Sequence, residues 1–181
     1  MSYKIWTHNT SSDANFTESR LENAAKLIDV KVLSRKPLGA LWPEDVIINV
    51  IDDKPPCDTF KCGPLLIVNH DVRKSLEQFS DDIEYLPVRV QLKNKSYTEY
   101  YFANILASEN ILDRGNSIYE EFDDEIENIS SLRLIENKTT SKVFFLDVDD
   151  YILIIHDEVA TNITQKNLSG VKFYSPENWN P

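Results

Sequence analysis

Two passages of this chain follow one pattern, and that pattern limits the fold more than any other feature. Pro64 to Val90 reads PLLIVNHDVRKSLEQFSDDIEYLPVRV, and Tyr151 to Pro176 reads YILIIHDEVATNITQKNLSGVKFYSP. Each opens with a continuous apolar run of the kind that makes a buried strand. A polar step and an amphipathic stretch follow, then a second apolar run. In the first passage Asn69 is placed to cap a helix, and Asp71 puts a negative charge in its first turn. Val72, Leu76 and Phe79 then keep the i, i+4, i+7 spacing of one buried helix face. In the second, His156 stands where Asn69 does, Asp157 and Glu158 open the helix, and Val159 and Ile163 match Val72 and Leu76 at an offset of 87 positions. Gly170 permits the turn into VKFYS. Each passage therefore predicts a strand, a capped helix and a second strand. The identities are few (Leu66 with Leu153, Ile67 with Ile154, Val72 with Val159), so both internal duplication and convergence on one packing rule fit.

The rest of the chain reads mainly as strand. Tyr3–His8, 45–52 and 97–105 carry β-branched and aromatic residues in runs bounded by turn formers. Ile83–Leu92 is a strand in which Pro87 argues for an edge position or a bulge. Residues 18–28 predict a helix with Leu21, Ala24, Ala25 and Ile28 on one face and Thr17 as its cap. Residues 106–114 predict a short helix stopped by Gly115, and 131–137 a strand. Residues 53–64 read as a long loop. Val143–Leu146 and Tyr151–Ile155 form a hairpin about the turn DVDD. The expected fold is α+β, with mainly antiparallel sheet and a few packed helices. It is expected as a single unit over residues 1–181, with 1–92 and 93–181 as conceivable lobes.

Of the 181 residues, 41% are hydrophobic, enough for a substantial core. No apolar run nears the roughly 20 residues that span a bilayer, and MSYKIWTHNT has no apolar stretch of a secretory signal. Cys57 and Cys62 lack a second pair to complete a zinc site and read as reduced thiols. The expectation is a soluble, cytoplasmic protein with no cofactor. A net charge of −11 disfavours nucleic acid and anionic membrane as partners and favours a basic protein. The charge is concentrated: from Glu109 to Glu127 eight acids face one base, Arg114. Ile118, Tyr119, Phe122, Ile126 and Ile129 run through that stretch at roughly helical spacing. This predicts an amphipathic helix with a carboxylate-covered outer face. Tyr119, Glu120, Glu121, Phe122, Asp123, Asp124, Glu125 and Glu127 are the candidate partner-binding residues, with a solvated helix face as the alternative for them.

Few residues carry catalytic patterns. The four glycines are too dispersed for a phosphate-cradling loop. His70 and His156 both stand at strand-to-helix steps, where a polar cap is a simpler account than a metal site. Asp147, Asp149 and Asp150 in DVDDY lack the glycine and closing glutamate of a calcium loop, so no metal site is expected. The best enzymatic case is LRLIENK. There Glu136 and Lys138 form an E-x-K pair, which with an upstream acid such as Asp124 is how metal-dependent nucleases hold magnesium and steady the attacking water. Tyr97, Tyr100, Tyr101 and Phe102 fit either base stacking or a strand with alternating core and surface aromatics. Trp42 and Trp179 fit either partner anchors or core caps.

The order of KPLGALWPEDV, GPLLIVNHDVRKSL, IEYLPVRV, YYFANIL, YILIIHDEV and LSGVKFYSP resembles an immunity-protein family of bacterial polymorphic toxin systems. It is family eleven of that catalogue, earlier described only as a domain of unknown function. The resemblance runs from the Leu38–Trp42 region to Tyr174. The family places serine where Asn69 and His156 stand, so both caps depart from its pattern. The resemblance implies a protein that binds a cognate toxin and protects the producing cell, with no catalytic residues to carry over. The expected partner is a toxin with a basic face, bound at the acidic stretch. The competing classes are an E-x-K nuclease and an acidic nucleic-acid mimic.

Overall fold

The computed structural model describes residues 2–27, 30–123 and 125–179. Its strands are β1 (Tyr3–His8), β2 (Ser19–Leu21), β3 (Ile47–Val50), β4 (Thr59–Cys62), β5 (Leu65–Asn69), β6 (Ile83–Leu92), β7 (Lys95–Ile105), β8 (Ser108–Glu109), β9 (Ile118–Phe122), β10 (Glu125–Ser131), β11 (Val143–Leu146), β12 (Asp149–His156) and β13 (Val171–Tyr174). The α-helices are α1 (His70–Leu76) and α2 (Asp157–Gln165). A six-stranded sheet has the order β2-β3-β6-β7-β5-β4 and a five-stranded sheet the order β13-β1-β12-β11-β8, with β9 and β10 as a separate hairpin. Most pairings are antiparallel; β3 with β6 and β11 with β8 are parallel. The fold is α+β. Among the described residues no helix is long and apolar enough to cross a membrane.

Both repeated passages fold as expected, and they fold alike. β5 and β6 are each antiparallel to β7, which lies between them, so they run parallel to one another across α1. β12 and β13 stand in the same relation to β1 across α2. Each half is thus a strand–helix–strand unit split by one inserted antiparallel strand, and each is preceded by a hairpin, β4–β5 or β11–β12. The inserted strand follows its unit along the chain in the first half, whereas in the second it comes from the N-terminus.

The correspondence reaches single residues. Tyr100 pairs with the cap residue Asn69, as Tyr3 pairs with the cap residue His156. Phe60 lies beside Ile67 and packs on Tyr100 with ring centroids 6.0 Å apart. Phe144 lies beside Ile154 and packs on Tyr3 at 5.8 Å. A cut at residue 92 separates neither half, because β6 and β7 pair across it and β1 belongs to the C-terminal sheet.

The two units meet through their helices. Val72 and Leu76 of α1 and Val159 and Ile163 of α2 are fully buried in a core shared with Leu66, Val68, Leu153 and Ile155. Burying each such side chain stabilises by about 1.5–3 kcal/mol. A second core lies between the six-stranded sheet and the segment around Val30, Leu38 and Val46. A third lies between the five-stranded sheet and the β9–β10 hairpin. The caps form as the sequence implies: Asn69 Oδ1 accepts the Val72 N–H at 3.0 Å, and His156 Nδ1 accepts that of Glu158 at 3.3 Å.

Several local expectations are corrected. The helix expected over residues 18–28 is instead strand β2 followed by one 3₁₀ turn, Ala24–Leu27; Ile28 lies outside the described residues. β2 pairs with β3, so sheet pairing overrides the helical propensity of that stretch. Thr17 caps no helix; its buried hydroxyl accepts the Cys57 N–H at 2.8 Å. The long loop of 53–64 contains β4. The short helix expected over 106–114 is β8 and irregular chain; of the strand expected over 131–137, Ser131 ends β10 and Leu134 forms an isolated bridge with Leu112. Pro87 lies in β6 beyond the stretch paired with β3, and the register with β7 shifts between Val88 and Val90. β6 is thus an interior strand and Pro87 itself stays in register with Tyr101; it is tolerated because β3 does not reach it, and the bulge falls beyond it.

Candidate interaction surface

The acidic stretch is not a helix. Its strands β9 and β10 pair as a hairpin, in which Tyr119 pairs with Ile129, Glu121 with Ile126 and Phe122 with Glu125. A bulge at Glu127 explains the misreading. It leaves Ile126 and Ile129, three residues apart, both turned toward the core, so a strand mimics helical spacing. Asp123 enters the turn with φ of +50°, a conformation that aspartate tolerates better than most residues.

The hairpin has two unlike faces. Ile129 is buried, and Tyr119 and Ile126 pack against the third core. On the other side Ile118 and Phe122 are each 64% exposed, with Glu120 in the strand between them. Glu120, Asp123, Glu125 and Glu127 are all exposed and have no ion-pair partner among the described residues. Glu121 lies 3.5 Å from the Arg114 guanidinium, which also lies 5.9 Å from the Tyr119 ring centroid. Asp124 lies outside the described residues. The structure therefore brings the candidate residues together on one projection, but gives them different duties. Tyr119 fastens the hairpin, and Phe122, with Ile118, forms the exposed apolar part. Ile118, outside the candidate set, shares this exposed face with Phe122 because residues 118, 120 and 122 alternate to one side of β9.

The remaining acids of that stretch serve the structure. Asp113 Oδ1 accepts the backbone N–H groups of Gly115 and Asn116, each at 3.2 Å, and Glu109 accepts the Ser141 hydroxyl. Within Glu109–Glu127, the described carboxylates left without an ion pair or a hydrogen bond are therefore those of the hairpin.

The other candidates resolve by geometry. Glu136 and Lys138 lie on an exposed turn rather than at a strand end, and Glu136 faces a surface depression with Tyr3, Lys4 and Arg133. Among the described residues no group of three or more His, Cys, Asp or Glu side chains is placed to hold a metal ion. The DVDD segment is a hairpin turn in which Asp149 Oδ1 accepts the Tyr151 N–H at 2.7 Å; the Asp150 side chain lies outside the described part. Trp42 donates its indole N–H to the Pro87 carbonyl at 2.9 Å and stacks on Phe102, and Trp179 packs on the third core. Tyr100 and Phe102 are buried in the second core with Tyr97 packed against it, while Tyr101 turns to the first, so these aromatics serve two cores rather than core and surface. Cys57 and Cys62 are buried free thiols; burial raises the pKa of Cys62, which leaves it protonated and unreactive.

No family model matches the chain, and no curated protein matches it.

Proposed function

We propose that this protein is an immunity protein, which binds a cognate bacterial toxin in the cytoplasm and neutralises it by occluding its active face. The observation that supports this most is the outer face of the hairpin, where Ile118 and Phe122 stand exposed beside Glu120 and Glu125, carboxylates with no ion-pair partner among the described residues. An apolar pair ringed by charge is the anatomy of a protein contact: the centre loses water and holds, and the rim steers. A basic toxin surface is the complementary partner, and its encounter with the hairpin is accelerated by the protein's field.

The test is co-expression with the toxin encoded beside it. Growth should be restored by the wild-type protein and not by a chain carrying Phe122→Ala together with charge reversal at Glu120 and Glu121. A neighbouring product that is harmless, or a toxin unaffected by the wild-type protein, would remove the proposal. The nuclease alternative is tested by incubation with magnesium and DNA. Cleavage abolished by Glu136→Ala would replace the immunity reading.

A further inference from the structure

The edge of a sheet carries backbone donors and acceptors that can pair with another chain, and folds close or blunt such edges. Most edges here are managed in that way. β2 and β8 are three and two residues long. β4 is met by β2, where the Ser19 hydroxyl donates to the Lys61 carbonyl at 3.3 Å. β13 has four residues, Lys172 among them. β10 is longer, but its register with β9 slips at Glu127 and again at Ser130, and bulges of this kind spoil a pairing template.

β9 lacks all of these devices. Its five residues, Ile118 to Phe122, pair with β10 on one side with no residue of β9 skipped, and among the described residues no strand pairs with its other edge. It contains no lysine and no proline, and four of its five residues are exposed. Successive side chains of a strand face opposite sides. Ile118, Glu120 and Phe122 share the water-facing side, while Tyr119 and Glu121 turn the other way, with the Arg114 guanidinium 3.5 Å from Glu121. A neighbouring strand would therefore meet an apolar, an anionic and an apolar position in alternation. Across a strand pair opposite charges attract and like charges repel. A second copy of β9 would bring the same two glutamates to the edge, so the charge disfavours self-pairing and favours a basic strand.

We propose that the free edge of β9 takes an added strand from the toxin: an extended segment in which a lysine or arginine is flanked at alternate positions by apolar residues, so that the hairpin becomes a three-stranded sheet in the complex. This rests on the reading of the hairpin as the toxin contact and adds how the contact is made. Backbone bonds along β9 supply the grip, and Ile118, Glu120 and Phe122 select the sequence.

The test uses the full chain and a capped seven-residue peptide with valine at its second and sixth positions, lysine at its first, fourth and seventh, and threonine at the others. The β9 backbone amides are followed by NMR during titration, together with their hydrogen exchange. The expected result is a saturable shift, exchange at least tenfold slower at β9 amides, and affinity at least tenfold weaker in Glu120→Lys. Two versions of the peptide, N-methylated at alternate amides in opposite phases, should differ in affinity at least tenfold, because one edge of a strand pairs with β9. Equal binding by the two would mark plain charge attraction and overturn the proposal. So would the absence of a saturable shift up to about 5 mM, the weak end of peptide affinity. Protection of β9 that grows with protein concentration without peptide would assign the edge to a second copy instead. A toxin neutralised with no change in β9 exchange would sink strand addition and leave the immunity reading standing. A peptide that pairs with β9 where no neighbouring toxin is neutralised would remove the toxin as the source of the strand, and the immunity reading with it.

Discussion

Asp58 grips Ser169 across 111 residues of chain: Asp58 Oδ2 lies 2.7 Å from both the backbone nitrogen and the hydroxyl of Ser169. The other carboxylate oxygen accepts from Asn69 Nδ2 at 2.7 Å, while Asn69 Oδ1 caps α1. One carboxylate thus ties the helix start of the first unit to the β13 entry of the second. Asparagine suits this cap because it donates on one side and accepts on the other, which serine with its single hydroxyl does less well.

Asp58→Ala removes several charge-assisted bonds and leaves the Asn69 amide group without its acceptor. Bonds to charged groups are worth about 1.5–3 kcal/mol each, with strong non-additivity. Urea denaturation should show a loss of about 2–4 kcal/mol. Asn69→Ser should cost less, because the bond to Val72 is retained. A negligible loss in Asp58→Ala would mean that the joint is not stabilising.

Gly170 has φ of +91°, and a Cβ there would fall 1.8 Å from the Thr59 carbonyl oxygen. The contact lies beside the Asp58–Ser169 joint, where the Thr59 N–H donates to the Ser169 carbonyl at 3.1 Å. Gly170→Ala combines a disfavoured backbone with overpacking, so a loss of about 3 kcal/mol or more is expected. A melting temperature within a degree or two of wild type would contradict this geometry.

His8 should make stability depend on pH above the carboxylate range. Burial, and secondarily the charge of Lys61, lower its pKa to about 3. The unfolded chain takes up this proton near pH 6.5 and the folded protein does not. The stabilisation is therefore complete above pH 6.5 and is lost progressively as pH falls toward 3, at about 1.4 kcal/mol per unit. Asp13, Glu77 and Glu158, whose pKa values are lowered mainly by hydrogen bonds from Lys172, Arg73 and Lys142, contribute only at more acid pH. Denaturation between pH 5 and 7 should show the slope in wild type and a flatter profile in His8→Gln. Equal slopes would refute the assignment.

The proposed toxin contact divides steering from holding between the charged and apolar residues of the hairpin. Charge reversal at Glu120, Glu121 and Asp123 should slow association with a toxin by tenfold or more and reduce its salt dependence. Phe122→Ala should chiefly speed dissociation, by an affinity loss of about 1–3 kcal/mol. Stopped-flow or surface-binding kinetics distinguish the two; unchanged rates in both variants would place the interface elsewhere.

The strand–helix units were legible because their signals are local. A continuous apolar run, a capping side chain and one buried stripe all fall within a few residues, as in Leu65–Leu76 and Ile152–Ile163. The acidic hairpin was not legible. Its bulge at Glu127 gives the apolar spacing of a helix, and only pairing with β9 reveals the strand. The neighbourhood of His8 and Lys61 was equally hidden, since only the fold brings β1 and β4 together there.

The sequence by itself determined the two capped units and the concentration of charge, because chain neighbours generate both hydrophobic period and local charge density. Tertiary structure alone decided that β1 completes the second unit as β7 completes the first, that Asp58 meets Ser169, and which side of the acidic stretch faces water. Those outcomes depend on contacts between residues far apart in the chain, where hydrogen-bond pairing and shared burial outweigh local preference.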